Sequence, residues 1–202
     1  MIESKSRKWS RTFFWNNIPN AITTIRILML LPILCFLYAN LSVLKVMVIA
    51  SLIIMLFMDK LDGYLARRLG QATRFGSIFD IAGDRIIEVT LWMVFAHLKL
   101  IPVWVPIVIL IRGILTDSAR YQALSNGKTP FGKQSMMKSR LTEFITGSDF
   151  MRAIANVKIL AFILLILATM YPYLLGLGLI VTYISIFVNL LRGIPVIVDA
   201  DV

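Results

Sequence analysis

Read only for hydrophobic and polar positions, the chain alternates long apolar runs with short polar breaks. A helix needs about 20 apolar residues to cross the hydrocarbon of a bilayer. Six runs reach or approach that length: 21–39, 42–66, 76–97, 101–124, 155–171 and 173–191. The breaks near 40, at 98–100 and at 172 are short enough to predict tight turns between antiparallel neighbours. The other two breaks, 67–74 and 126–152, carry charge. Pro102 and Pro106 fall early in the fourth run, where a kink is expected. Ahead of the first run, the stretch RKWSRTFFW mixes Arg7, Lys8 and Arg11 with Trp9, Phe13, Phe14 and Trp15. That composition predicts a short helix at the headgroups, over about 5–18, and the run behind it lacks a small-x-small cleavage site. The expected fold class is therefore all-α integral membrane. Six transmembrane helices follow a short N-terminal interfacial helix, in one domain over 1–202.

Composition agrees with this reading. The 202 residues are 58% hydrophobic, with a mean hydropathy of +0.82, against about 45–50% apolar residues in soluble domains. The net charge of +10 raises nucleic-acid binding as a rival. The basic residues cluster between apolar runs, however, which suits anionic headgroups, and no nucleic-acid partner is expected. Lys5, Arg7, Lys8, Arg11, Arg67, Arg68, Arg74, Lys128, Lys133, Lys138, Arg140, Arg152 and Arg192 fall on one side of the six-span layout, with little beyond Lys45 and Lys99 on the other. The positive-inside rule then puts both termini and the charged breaks on the cytoplasmic side of the cell membrane. The single cysteine, Cys35, reads as a buried apolar filler. His97 reads as a boundary residue at the outer end of its span.

The chemistry lies where two apolar runs are interrupted by FMDKLDGYLARRLGQATRFGSIFDIAGDR (57–85). Asp59 and Asp62 are spaced i,i+3 on the second run, with Gly63 and Ala66 near them on the same face. Gly76, Asp80 and Asp84 follow at i,i+4 on one face of the third run. Joined by a short basic loop, the two helices run antiparallel and can bring four carboxylates to one point. Such a group stays ionised only if it shares cations, and all-oxygen ligands select hard ions such as Mg²⁺ or Mn²⁺. Two ions about 3.5–4 Å apart are a common clamp in phosphoryl chemistry, and the small residues leave room for a diphosphate. Ordinary helix-end pairing with Lys60, Arg67, Arg68 or Arg85 is the plainer alternative, but intramembrane carboxylates are costly and usually functional. The spacing of an EF-hand loop is absent.

The run Asp59-x-x-Asp62-Gly63-x-x-Ala66-Arg67, eight residues, Gly76-x-x-x-Asp80-x-x-x-Asp84 resembles the signature of the CDP-alcohol phosphatidyltransferase family at every motif position. The resemblance implies that an acceptor hydroxyl attacks the β-phosphorus of CDP-diacylglycerol and releases CMP. It implies metal ligation by Asp59, Asp62 and Asp80, and a double role for Asp84 as ligand and general base. It also implies nucleotide-side contacts from Gly63, Ala66, Arg67, Thr73 and Gly76, and the possibility of a homodimer. Upstream, NNIPNAITTIRI resembles the family's entry to its first span. There Asn20 and Thr23 line a nucleotide pocket, although Asn20 equally suits helix capping. Arg26 is either a pocket arginine or a snorkelling anchor.

The acceptor is read from Arg112, Arg120, Lys133 and Lys138, whose charge suits a phosphorylated alcohol. Glycerol 3-phosphate is favoured, with inositol phosphate or cardiolipin-type transfer to phosphatidylglycerol as alternatives. The region is similar to that of phosphatidylglycerophosphate synthases, but Gly113 replaces an acidic residue and Gln134-Ser135 follows Gly132-Lys133. The loop lysines equally suit a lipid-facing surface. Asp117 is expected to pair with Arg120 or Arg112, and Glu88 to brace a basic pocket residue or orient Asp84. A membrane prenyltransferase and a cation transporter share the acidic-pair logic. The first assigns no role to Gly63, Ala66 and Arg67, and the second needs carboxylates at mid-membrane.

Overall fold

The computed structural model describes residues 18–39, 41–69, 73–125 and 156–198, with the side chains of residues 66, 67, 74 and 123–125 left aside. The expected interfacial helix, and Lys133 and Lys138, lie outside these residues. Six α-helices are described: α1 (Ile18–Tyr38), α2 (Ser42–Arg68), α3 (Arg74–His97), α4 (Trp104–Ser125), α5 (Val157–Ala168) and α6 (Leu175–Val198), the last entered through a 3₁₀ turn at Pro172–Leu174. Among the described residues three segments are long and apolar enough to cross a membrane: Ile18–Tyr38, Ser42–Leu65 and Pro172–Val198. The chain is a multi-pass membrane protein.

The turns are as short as the sequence demands. In the α3–α4 connection Lys99 takes φ 59°, which lets Leu100 N–H return to Phe95 O at 3.0 Å. The expected kink at Pro102 and Pro106 is corrected. Pro102 precedes α4, and Pro106 sits in its first turn, where backbone N–H groups have no helical acceptor to lose. The interior prolines are Pro32 in α1 and Pro195 in α6.

Contacts between helices close a ring in the order α1, α2, α5, α6, α4, α3 and back to α1. Lipid is as apolar as leucine, so packing rather than transfer from water holds such a ring together. At the α1–α3 seam, a Cβ on Gly76 would lie 2.9 Å from Asn20 Oδ1, and one on Gly83 would lie 2.8 Å from Thr23 Cγ2. At the core, Trp92 and Phe95 of α3 meet Phe162 of α5 with ring centroids 4.7 and 5.6 Å apart. The outer surface is greasy: Leu31, Val43, Phe57 and Phe187 are all more than 60% exposed. Cys35 is on that surface, which corrects the expectation of burial. The buried stripe of α1 runs through Thr23, Arg26, Leu30, Ile33 and Leu37, and Cys35 falls with Leu28 and Leu31 on the opposite, exposed face.

Candidate active site

Among the described residues, most of the charge carried by the helices gathers at one end of the ring. Antiparallel succession brings there the N-terminal halves of α1 and α3, the C-terminal parts of α2, α4 and α6, and the start of α5. Among the described residues the opposite end carries only Lys45, whose Nζ lies 3.5 Å from the Thr169 carbonyl, and the exposed His97 and Lys99.

Asp59, Asp62 and Asp80 each offer a carboxylate oxygen, and the three oxygens lie within 4.8 Å of one another. The sequence led us to expect α2 and α3 to meet directly. Instead α1 packs against both, and they make little contact with each other. What joins the two halves of the motif is Arg26. One of its terminal nitrogens lies 3.1 Å from Asp62 Oδ2 and 3.4 Å from Asp80 Oδ1, and the other 2.9 Å from Asp59 Oδ1 and in contact with Asp84. Arg26 is therefore a pocket residue and not an outward anchor. Among the described side chains helix-end pairing is not seen either: Lys60 is exposed, Arg68 turns to Tyr64, and Arg85 pairs with Asp117 and Glu88; Arg67 lies outside them.

Asp62 is buried, with its side chain 3% exposed, whereas those of Asp59, Asp80 and Asp84 are 36%, 41% and 49% exposed. The cage is thus closed beneath and open on one side. Asp62 Oδ1 is buried without a hydrogen-bond partner. An orphaned buried carboxylate oxygen is expensive unless a cation completes it, and this all-oxygen donor set fits a hard divalent ion. Asp59, Asp62 and Asp80 would hold it.

Around the cage, Thr23 Oγ1 lies 3.2 Å from Pro19 O and 3.5 Å from Asp62 Oδ2. Asn20 is buried within the first turn of α1, not ahead of it as a cap, and its Nδ2 has no partner. Thr73 is the N-cap of α3, accepting from Gly76 N–H at 2.9 Å, a capping role that the motif reading had missed. Gly63 is half-buried one position beyond Asp62. The expected contacts of Ala66 and Arg67 lie outside the described side chains.

Beside the cage opens a polar cavity of about 330 Å³. Arg112 and Arg120, both read from the sequence, line it, joined by Arg85, Lys158 and Arg192, with Asn156 and Asn189 between them. Asp117 lines it too and pairs with Arg120 as expected, but a nearer partner is Arg85. Arg85 binds it through two nitrogens at 2.9 and 3.2 Å, and Arg120 is farther, at 3.6 Å. Glu88 braces two cations, Arg85 at 3.0 Å and Lys158 at 3.3 Å. Arg85, Lys158, Asn156, Asn189 and Arg192 were not read as pocket residues. The available signals were Lys158 as a lone charge leading an apolar run, and Asn189 with Arg192 at i,i+3 near the end of the last span.

A ring of membrane helices that holds four carboxylates beside a cationic cavity is built to handle a diphosphate in the bilayer. Comparison with known proteins narrows that class. The CDP-alcohol phosphatidyltransferase profile matches residues 16–191, and the chain belongs to that family. A CDP-diacylglycerol--glycerol-3-phosphate 3-phosphatidyltransferase of Treponema pallidum is 29% identical over 153 residues, 64% of this chain and 70% of that protein. One of the same name from Rickettsia typhi is 26% identical over 129 residues, 63% of this chain and 72% of that protein. A putative cardiolipin synthase of Mycobacterium bovis is 35% identical over 99 residues, 48% of this chain and 46% of that protein. The chain is an enzyme of the transferase class.

Proposed function

We propose that the enzyme transfers the phosphatidyl group of CDP-diacylglycerol to a hydroxyl of glycerol 3-phosphate and releases CMP. The observation that carries this reading is the position of Asp84. It touches Arg26 inside the cage, and it lines both the cationic cavity and a smaller cavity beside Arg26. A carboxylate so placed reaches toward a nucleotide-lipid on one side and an anionic acceptor on the other.

In the proposed reaction, the acceptor phosphate lodges among Arg112, Arg120, Lys158 and Arg192, where charge-assisted hydrogen bonds are strongest. Asp84 accepts the proton of the acceptor hydroxyl. The hydroxyl oxygen bonds to the lipid-bearing phosphorus, and the bond from that phosphorus to the CMP oxygen breaks, with CMP keeping the electron pair. Mg²⁺ or Mn²⁺, two ions in this reading, supplies neutralisation of the diphosphate and of the leaving phosphate. Arg67, Thr73 and Gly76 serve the nucleotide side. The fully buried Asp62 fixes the cage, and the more exposed Asp59, Asp80 and Asp84 face the substrate.

We place all six helices across the membrane, although the 12 described residues of α5 rise only about 18 Å and cover part of its crossing. The 24 residues of α3 and 22 of α4 rise about 36 and 33 Å, enough for a hydrocarbon layer of about 30 Å. Their charged side chains Asp84, Arg85, Glu88, Arg112, Asp117 and Arg120 line the polar cavity inside the ring. The excess of basic residues at the carboxylate end puts that end at the cytoplasm.

The similarity to putative cardiolipin synthases favours a second reading, with phosphatidylglycerol as acceptor. The test is purified enzyme with CDP-diacylglycerol, Mg²⁺ or Mn²⁺, and a panel of acceptors, with the lipid product identified by mass spectrometry. Phosphatidylglycerophosphate is the expected product. Cardiolipin would select the second reading, and CMP release only with unphosphorylated alcohols would reject both.

A further inference from the structure

Each of the four motif carboxylates is in contact with one buried monovalent cation, the guanidinium of Arg26. This residue comes from α1, which carries neither half of the motif. Four carboxylates gathered without a cation repel one another, so the guanidinium holds the cage together. Divalent ions ligated by these oxygens would lie within a few ångströms of it, where two positive centres in a weakly screened site repel strongly. The guanidinium and the ions therefore exclude each other from the cage.

The side chain has an alternative place. A cavity of about 180 Å³ opens beside it, lined by Arg26, Asp59, Asp84, Glu88 and Lys158 among polar residues. Glu88 Oε1 is buried there with Lys158 Nζ 3.3 Å away, and Arg26 Nε is buried without a hydrogen-bond partner. A carboxylate can accept more bonds than the two that Arg85 and Lys158 make with Glu88, which leaves it able to take the guanidinium as well.

We propose that Arg26 is a resident counter-ion that assembles the carboxylate cage in the metal-free protein and withdraws toward Glu88 when divalent ions enter. Metal and guanidinium then compete for the same oxygens. This inference rests on the metal-dependent reading of the site.

The experiment is Mn²⁺ binding to the purified, detergent-solubilised protein, followed by the loss of the free-ion electron paramagnetic resonance signal, together with thermal melting with and without Mn²⁺. Arg26→Gln is expected to bind Mn²⁺ at least tenfold more tightly than the parent. It should also melt lower without metal and gain more on adding it. Arg26→Lys keeps one charge but cannot bridge four carboxylates. It is expected to bind a few-fold more tightly with a metal-free melting point near the parent's, and it decides the matter if Arg26→Gln cannot be recovered folded. Equal or weaker Mn²⁺ binding by the variants, with normal binding by the parent, overturns the proposal and leaves the metal site standing. Absence of binding in parent and variants alike overturns the metal site and the proposal with it.

Discussion

Gly113 of α4 lies directly under the side chain of Arg85 of α3: a Cβ added at 113 would stand 2.6 Å from Arg85 Cζ. The bare backbone lets the guanidinium lie flat across α4, where it takes Asp117 with two nitrogens and Glu88 with the third. An acidic side chain at 113, as in the phosphatidylglycerophosphate synthases this region resembles, would need that space. Here the carboxylate sits one turn later, at Asp117.

Gly113→Ala should therefore displace Arg85 from both partners. A charged hydrogen-bond set in a partly buried site contributes about 1.5–3 kcal/mol, and melting shifts by about 2–4 °C per kcal/mol in a chain of this size. The expected result is a loss of roughly 3–12 °C in detergent and a raised KM for the phosphorylated acceptor, with the KM for CDP-diacylglycerol unchanged. Equal rises in both KM values would show that the brace does not belong to the acceptor side.

Asp84→Asn keeps the size of the side chain and an oxygen for Arg26, but removes the base. General-base catalysis is typically worth about 10²–10⁴-fold. CMP release from CDP-diacylglycerol should fall by at least that range while the protein stays folded and still binds the nucleotide-lipid. Turnover at the parental rate would remove Asp84 from the proton transfer.

The motif was legible because spacings of three and four put side chains on one face of a helix whatever the tertiary structure. Asp59 with Asp62, and Asp80 with Asp84, needed no knowledge of neighbours. The residue that joins them was only half legible. Arg26 is one polar position in an apolar run, and nothing local says that α1 inserts between α2 and α3. The Arg85–Asp117 pair spans 32 positions, so sequence spacing found only the Arg120 partner three positions away. Cys35 shows a different limit. In a membrane helix both faces are apolar, so hydropathy finds the span without telling which side meets lipid. Arg112 and Arg120 were found because charge in an apolar run demands a partner. Lys158 and Arg192 were passed over because they stand at run ends, where loop-side anchoring explains them equally well.

Lys158 separates acceptor binding from helix anchoring. It lines the polar cavity and the smaller one beside Arg26, and it is held by Glu88 at 3.3 Å. Losing one charge-assisted hydrogen bond to phosphate should cost about 1.5–3 kcal/mol, so Lys158→Met is expected to raise the acceptor KM some 10- to 100-fold. The KM for CDP-diacylglycerol should move little. An unchanged acceptor KM would make Lys158 only a partner for Glu88.

The sidedness of the ring can be read by labelling, because the chain has one native cysteine. Cys35 faces outward on the lipid side of α1, where a membrane-impermeant maleimide should not reach it in sealed vesicles. With Cys35→Ser as background, Asn156→Cys places a thiol at the carboxylate end, beside the polar cavity. Tyr173→Cys places one at the other end, where the native side chain is 79% exposed. In inside-out vesicles the impermeant reagent should label the cysteine at 156 and spare that at 173, and in right-side-out cells the pattern should reverse. This outcome follows from the excess of Lys and Arg at the carboxylate end, since each basic residue resists export across the bilayer. Labelling of both positions from one side would break the six-span arrangement. The opposite pattern would put the carboxylates outside the cell, away from any cytoplasmic supply of nucleotide-linked lipid.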